Sequence, residues 1–142
     1  YFITPHVVKE IEDEALDSLY TTKRYTKVSE KHYETVVQGM RAAVTGGTCR
    51  AANLPGLDVC GKTGTAQNKG KDHSAFMGFA PMNNPKIAVA VYVENGGWGA
   101  TYGVPIGALI MEKYLNGTLS PQSEMKASDI QMRRIDYGVH ER

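Results

Sequence analysis

The stretch Lys86-Ile87-Ala88-Val89-Ala90-Val91-Tyr92-Val93-Glu94 limits the possible folds more than any other part of the chain. It is a near-continuous apolar run, bracketed by the turn residues Asn83-Asn84-Pro85 and by the glycine-rich loop Asn95-Gly96-Gly97-Trp98-Gly99. A run of this kind predicts a central strand covered on both faces. Two further extended runs precede it, at about Leu57 to Gln67 and His73 to Pro81, with the polar loop Asn68-Lys69-Gly70-Lys71-Asp72 between them. Because the three follow one another through short turns, they predict an antiparallel meander.

Helices should flank that sheet. Ser29 is a reasonable N-cap, and Tyr33, Val36, Val37, Met40 and Val44 recur at i, i+3, i+4, i+7 and i+11, an apolar stripe on a helix from Ser29 to Thr45 that Gly46-Gly47 stops. Pro105 suits the first turn of a second helix, apolar through Val104, Ile106, Leu109, Ile110, Met111 and Leu115 and closed by Asn116-Gly117. It is too short to span a bilayer and reads as buried. Upstream, His6 to Ile11 and Tyr20 to Thr26 predict a hairpin or two short antiparallel strands around the acidic run Glu12 to Asp17. His6, a lone histidine beside Pro5, reads as a surface or packing residue. Beyond Leu119 the chain becomes polar and aperiodic, and residues 118–142 read as a tail, partly disordered. The predicted class is α+β, with helices packed on a meander.

With 142 residues, 42% of them hydrophobic and 22% charged, the chain can build one core and lacks a disorder composition. Sixteen Lys and Arg against fifteen Asp and Glu leave a formal charge of +1, with no basic run interleaved with aromatics, so nucleic acid is not an expected partner. No charged leader and no apolar stretch near 20 residues is present, and an opening at Tyr1 suggests a piece of something longer. Cys49 and Cys60 match neither a CxxC nor a zinc pattern; no metal or cofactor is expected, and whether the two thiols pair is left open.

The chemistry concentrates in Val59-Cys60-Gly61-Lys62-Thr63-Gly64-Thr65-Ala66-Gln67. Val59, Thr63 and Thr65 favour an extended backbone, while Gly61 and Gly64 clear two places where a ligand backbone could approach. Lys62 supplies a cation with three donors, Thr63 a hydroxyl, and the strand edge offers N–H and C=O groups to an extended peptide.

Taken in order, the first helix, Gly46-Gly47-Thr48, the Gly61-to-Gln67 strand, His73-Ser74-Ala75-Phe76-Met77-Gly78-Phe79-Ala80-Pro81, Asn84-Pro85-Lys86-Ile87-Ala88-Val89-Ala90-Val91, Glu94-Asn95-Gly96-Gly97 and a helix entered through Pro105 resemble the C-terminal half of a class B penicillin-binding protein transpeptidase domain. The resemblance covers about residues 1–117, and Lys62-Thr63-Gly64 corresponds to the third motif of the serine penicillin-recognising enzymes, after S-x-x-K and S-x-N. Glu94 to Gly97 is most similar to penicillin-binding protein 2, the elongation branch that works with the rod-shape machinery. One departure is Ala75, where the family commonly has a bulky aromatic.

The resemblance implies a partial transpeptidase, serine β-lactamase-like fold and D,D-transpeptidation of peptidoglycan in the cell envelope, on the periplasmic side of the inner membrane. The implied partners are stem peptides ending in D-Ala-D-Ala and the β-lactams that imitate them. It implies that Lys62 places positive potential near the nucleophile and the substrate carboxylate, that Thr63 and Thr65 hydrogen-bond that carboxylate, that Gly64 permits close approach, and that the Thr65 N–H is one arm of the oxyanion hole.

The serine nucleophile is absent from the expected place, since S-x-x-K and S-x-N should both precede Lys62. Ser123-Glu124-Met125-Lys126 matches the first by letters and Tyr114-Leu115-Asn116 resembles a variant of the second, but both lie downstream and read as chance matches. The chain is therefore expected to be inactive alone, with an exposed apolar face that promotes self-association. Two alternatives remain: a related serine β-lactamase or sensor domain, and a non-catalytic peptide- or β-lactam-binding module.

Overall fold

A computed structural model describes residues 1–135 of the chain. The chain divides into two compact units, Tyr1–Thr35 and a second that begins at Val36.

The first unit is mostly irregular. In place of the expected strands, isolated bridges join Phe2 to Arg24 and Ile11 to Glu14, and a single 3₁₀ turn occupies Ser18–Tyr20. Burial explains the difference: Val7, Val8 and Ile11 are all exposed, so the expected first strand has no surface to pack on. The acidic run between the two segments turns at Asp13, with a φ of 58°, and the Asp17 carboxylate accepts from the Leu19 N–H at 2.7 Å, capping the 3₁₀ turn. His6 hydrogen-bonds the Thr4 carbonyl at 2.8 Å and packs on Tyr20 with ring centroids 5.1 Å apart, as a packing residue does.

The second unit carries the sheet. Helix α1 (Glu30–Thr45), whose residues up to Thr35 are counted with the first unit, is followed by β1 (Cys60–Ala66), β2 (His73–Ala80) and β3 (Ile87–Val93), then by α2 (Gly103–Asn116) and α3 (Pro121–Met132). The strands form the expected meander in the order β1-β2-β3. Lys62 stands opposite Met77 and Gly64 opposite Ala75, while Met77 and Ala75 stand opposite Ala90 and Tyr92. The pleat therefore puts Gly61, Thr63, Ser74, Phe76, Gly78, Val89 and Val91 on the face under α2, and Lys62, Gly64, Ala75, Met77, Ala90 and Tyr92 on the other.

Under α2 the core gathers Val44, Cys49, Ala52, Leu57, Val59, Phe76, Ala80, Val104, Ala108 and Met111. The Phe76 ring sets its geometry. A Cβ added at Gly61, Gly78 or Gly107 would come within 2.5, 2.7 and 2.5 Å of that ring, so two strand glycines and one helix glycine are hollowed to seat it. Helix α2 ends at Gly117, in the left-handed conformation at φ 74°.

Three expectations are corrected. β3 is an edge strand, alternating half-buried and exposed residues; an unbroken apolar run does not say how many neighbours a strand has, and among the described residues none pairs with its outer edge. The stripe on α1 is buried only in its later part, with Val44 fully buried and Val36 60% exposed. The tail contains α3, which a polar sequence concealed. Ser120 caps it, accepting from the Ser123 N–H at 3.4 Å, and Pro121 stands in the first turn. The rest of the expected tail, residues 136–142, lies outside the described residues.

Candidate functional site

β1 lies at a sheet edge and presents its central residues to solvent: Lys62 and Thr65 are exposed, Thr63 and Gly64 half-buried. Lys62 Nζ donates to the Thr63 carbonyl at 3.0 Å. Gly64 is less crowded: among the described residues a methyl added there would meet just the Ala75 Cβ, at 3.3 Å. Gly61, by contrast, makes room for Phe76 rather than for a ligand, which corrects one of the two roles read for the strand glycines.

A groove of about 440 Å³ runs along this face, lined by Lys62, Gly64, Ala75, Met77, Ala90 and Tyr92 among others. Ala75 lies between Gly64 and Tyr92 in register, so its small side chain keeps the middle of the groove shallow-walled. Lys62 stands on the side of this apolar groove, the Thr63 and Thr65 side chains stand on the other face of the strand, and between them runs an edge that is unpaired among the described residues, which suits an extended peptide with an anionic end.

Residues that the sequence did not single out hold the strand in place. Ser74, fully buried opposite Thr65, donates to the Trp98 carbonyl at 2.9 Å and accepts from the Gly103 N–H at 3.0 Å. It thereby fastens the loop between β3 and α2 to the sheet. That loop brings Gly99 against β1, where an added Cβ would lie 2.7 Å from the Gly64 carbonyl oxygen and 3.0 Å from Thr63 Cβ. Thr48 and Thr63 share a hydroxyl–hydroxyl hydrogen bond of 2.8 Å. A single strand serine and a glycine next to a turn leave no trace of their loop contacts in the sequence; only the Gly46-Gly47-Thr48 turn had a sequence signal.

Neither cysteine competes as a nucleophile. Both are buried and free. Burial pushes the Cys49 thiol up, against the opposing hydrogen bonds of Thr48 and the Thr63 backbone and the Lys62 charge. Burial likewise raises Cys60, although Arg41 pulls the other way. Ser123, 2% exposed on α3, faces the buried Glu112 carboxylate and offers no access to a substrate. Asn116 is the last residue of α2.

The fold agrees with the comparisons. The penicillin binding protein transpeptidase domain model matches residues 1–115. This chain belongs to that family. Within it, the chain is 33% identical to the peptidoglycan D,D-transpeptidase MrdA of Haemophilus influenzae, over 92% of its own length and 23% of the relative's. It is 32% identical to PbpA of Mycobacterium tuberculosis, over 80% of this chain and 26% of that one. Among solved structures, Pseudomonas aeruginosa PBP2 in complex with WCK 5153 matches at 41% identity and a TM-score of 0.53, covering 63% of this chain and 21% of that one. The ceftriaxone acyl-enzyme complex of penicillin-binding protein A from M. tuberculosis matches at 32% and 0.56, over 66% and 24%. The chain thus spans about a quarter of the length of the curated relatives it matches, as part of a transpeptidase domain of the class B, PBP2-like kind.

Proposed function

We propose that this chain supplies the substrate-binding wall of a serine-type peptidoglycan D,D-transpeptidase acting in cell-wall elongation outside the cytoplasmic membrane, and that the acyl-carrying serine belongs to sequence preceding Lys62. In this reading the serine oxygen attacks the carbonyl of D-Ala-D-Ala, the C–N bond breaks and D-Ala leaves with a proton. An amine of a neighbouring strand then displaces the serine. Lys62 supplies positive potential to the nucleophile and the substrate carboxylate. Thr63 and Thr65 hydrogen-bond that carboxylate, Gly64 lets the peptide lie close, and the Thr65 N–H is one donor of the oxyanion hole. Losing one such donor costs about 3 kcal/mol of transition-state stabilisation in other enzymes.

The observation that carries the reading is the presentation of Lys62 to Thr65 on an exposed strand edge beside an apolar groove, with Gly64 free on its outer side. β-Lactams and stem peptides are the expected ligands, and rod-shape proteins the expected partners of the longer protein.

The electrostatic role of Lys62 can be separated from packing, because the side chain is exposed. In the longer protein, Lys62→Ala should slow acylation by a β-lactam by roughly 100-fold or more while the melting temperature hardly moves, and Lys62→Arg should recover only part of the rate. An alanine variant with normal acylation and a collapsed melting temperature would assign Lys62 to structure instead.

A further inference from the structure

We propose that Thr48 is a positioning residue for carboxylate recognition, acting through the hydroxyl of Thr63; the inference rests on the carboxylate-binding role given above to the Lys62 strand. The two Oγ1 atoms are 2.8 Å apart, a full O–H···O distance. Each hydroxyl has one proton, so only one of the pair can donate to the other. If Thr63 donated to Thr48, it would turn lone pairs toward an incoming anion. With Thr48 as the donor, the Thr63 proton is free for the ligand, and the chain from Thr48 through Thr63 to a carboxylate strengthens each bond in turn. A carboxylate on Thr63 selects that second arrangement, in which the Thr48 proton takes a Thr63 lone pair and so turns and polarises the Thr63 O–H toward the ligand.

Thr48 stands on a fixed base. The N–H groups of Gly46, Gly47 and Cys49 donate to the Ala42 and Ala43 carbonyls at 3.0, 3.1 and 2.9 Å, moulding the turn onto the end of α1. A Cβ on Gly47 would lie 2.8 Å from Ala43 Cα, so the turn has no slack there. On the opposite side Gly99 closes against Thr63 Cβ. The Thr63 side chain is held between two loops, and its rotamer is set before a ligand arrives.

The test compares acylation by benzylpenicillin in the longer protein for wild type, Thr48→Val, Thr48→Ser, Thr63→Val and the double Val variant, with a melting curve for each. Thr48→Val should slow acylation by about three- to tenfold, with Thr48→Ser within about twofold of wild type, as expected for the loss of one neutral hydrogen bond that orients the Thr63 hydroxyl. The double variant should be no slower than Thr63→Val alone, because Thr48 acts only through Thr63. Wild-type acylation in Thr48→Val would overturn the proposal. So would a Thr48→Val defect that multiplies with that of Thr63→Val, since a merely structural role predicts independence from the Thr63 hydroxyl. A wild-type protein that is never acylated overturns the transpeptidase reading itself and this inference with it, a result distinct from a normal wild type with an indifferent Thr48→Val.

Discussion

Gly61 and Gly64 lie on the same strand, and a methyl group added to each meets different surroundings. At Gly61 it would come within 2.5 Å of Phe76 Cε2 and 2.7 Å of Cζ, inside a packed core. Gly61→Ala should therefore destabilise the fold by about 1–3 kcal/mol, the usual cost of overpacking, visible as a lower midpoint in chemical denaturation. At Gly64 the methyl meets only the Ala75 Cβ at 3.3 Å, a contact that a small shift relieves. Gly64→Ala should leave the midpoint nearly unchanged while obstructing the approach of a ligand backbone, so β-lactam acylation of the longer protein should fall. The opposite pattern, a stable Gly61→Ala and an unfolded Gly64→Ala, would contradict this division. Sequence alone gave both glycines the same purpose, because a glycine records that a side chain is missing and not what occupies the space. Lys62, Thr63, Gly64 and Thr65, the residues proposed to bind substrate, were legible as a group because their types and order form a recognisable motif. Ser74, Thr48 and Gly99 were not, since their roles exist only once separate loops meet.

Among the elements, α1, α2 and the three strands could be read from periodicity and turn residues, within a few residues at each boundary. α3 could not, because what holds it is polar. The Ser120 N–H donates to Glu112 Oε1 at 3.1 Å, and Glu112 is 4% exposed on α2, so a buried carboxylate anchors the start of the next helix. At the other end Arg133 pairs with Asp129 at 2.6 Å, donates to the Thr101 carbonyl at 3.0 Å and lies over the Tyr102 ring. Burial alone would raise the Glu112 carboxyl, but hydrogen bonding from Ser123 and Ser120 and the Lys126 charge outweigh it, and the net displacement is downward from the ordinary value of 4.5. A group lowered on folding stabilises the fold above its unfolded value and loses that contribution as the pH falls through its folded one. The stability difference between wild type and Glu112→Gln should thus be full at neutral pH and shrink as the pH drops below 4.5. Thermal melts of both proteins between neutral and acid pH check this; a difference that grows with acidification would reverse the assignment. The hairpin expected near the N-terminus failed because β-propensity in His6 to Ile11 is not backed by burial: Val7, Val8 and Ile11 are all exposed.

For the molecule as a whole, the unused surface is as informative as the core. β1 and β3 both end the sheet among the described residues, and the face opposite α2 leaves Met77 60% and Tyr92 58% exposed. Unpaired edges beside an apolar face favour pairing with another chain. Purified alone, the chain should self-associate as concentration rises, and light scattering that shows a clean monomer at high concentration would count against that expectation. The apolar run of β3 marks it for more burial than the described residues provide, as expected for a piece that covers about a quarter of its relatives' length.

The central claim is that the Lys62 strand orients a β-lactam or stem-peptide carboxylate but does not itself carry the acyl group. Labelling with a fluorescent penicillin, read on a denaturing gel and by intact mass, tests it directly when this 142-residue chain is compared with the longer protein. The longer protein should take up one adduct on a serine encoded before Lys62, and the short chain none. A stoichiometric adduct on the short chain, above all one that maps to Ser123, would contradict the account.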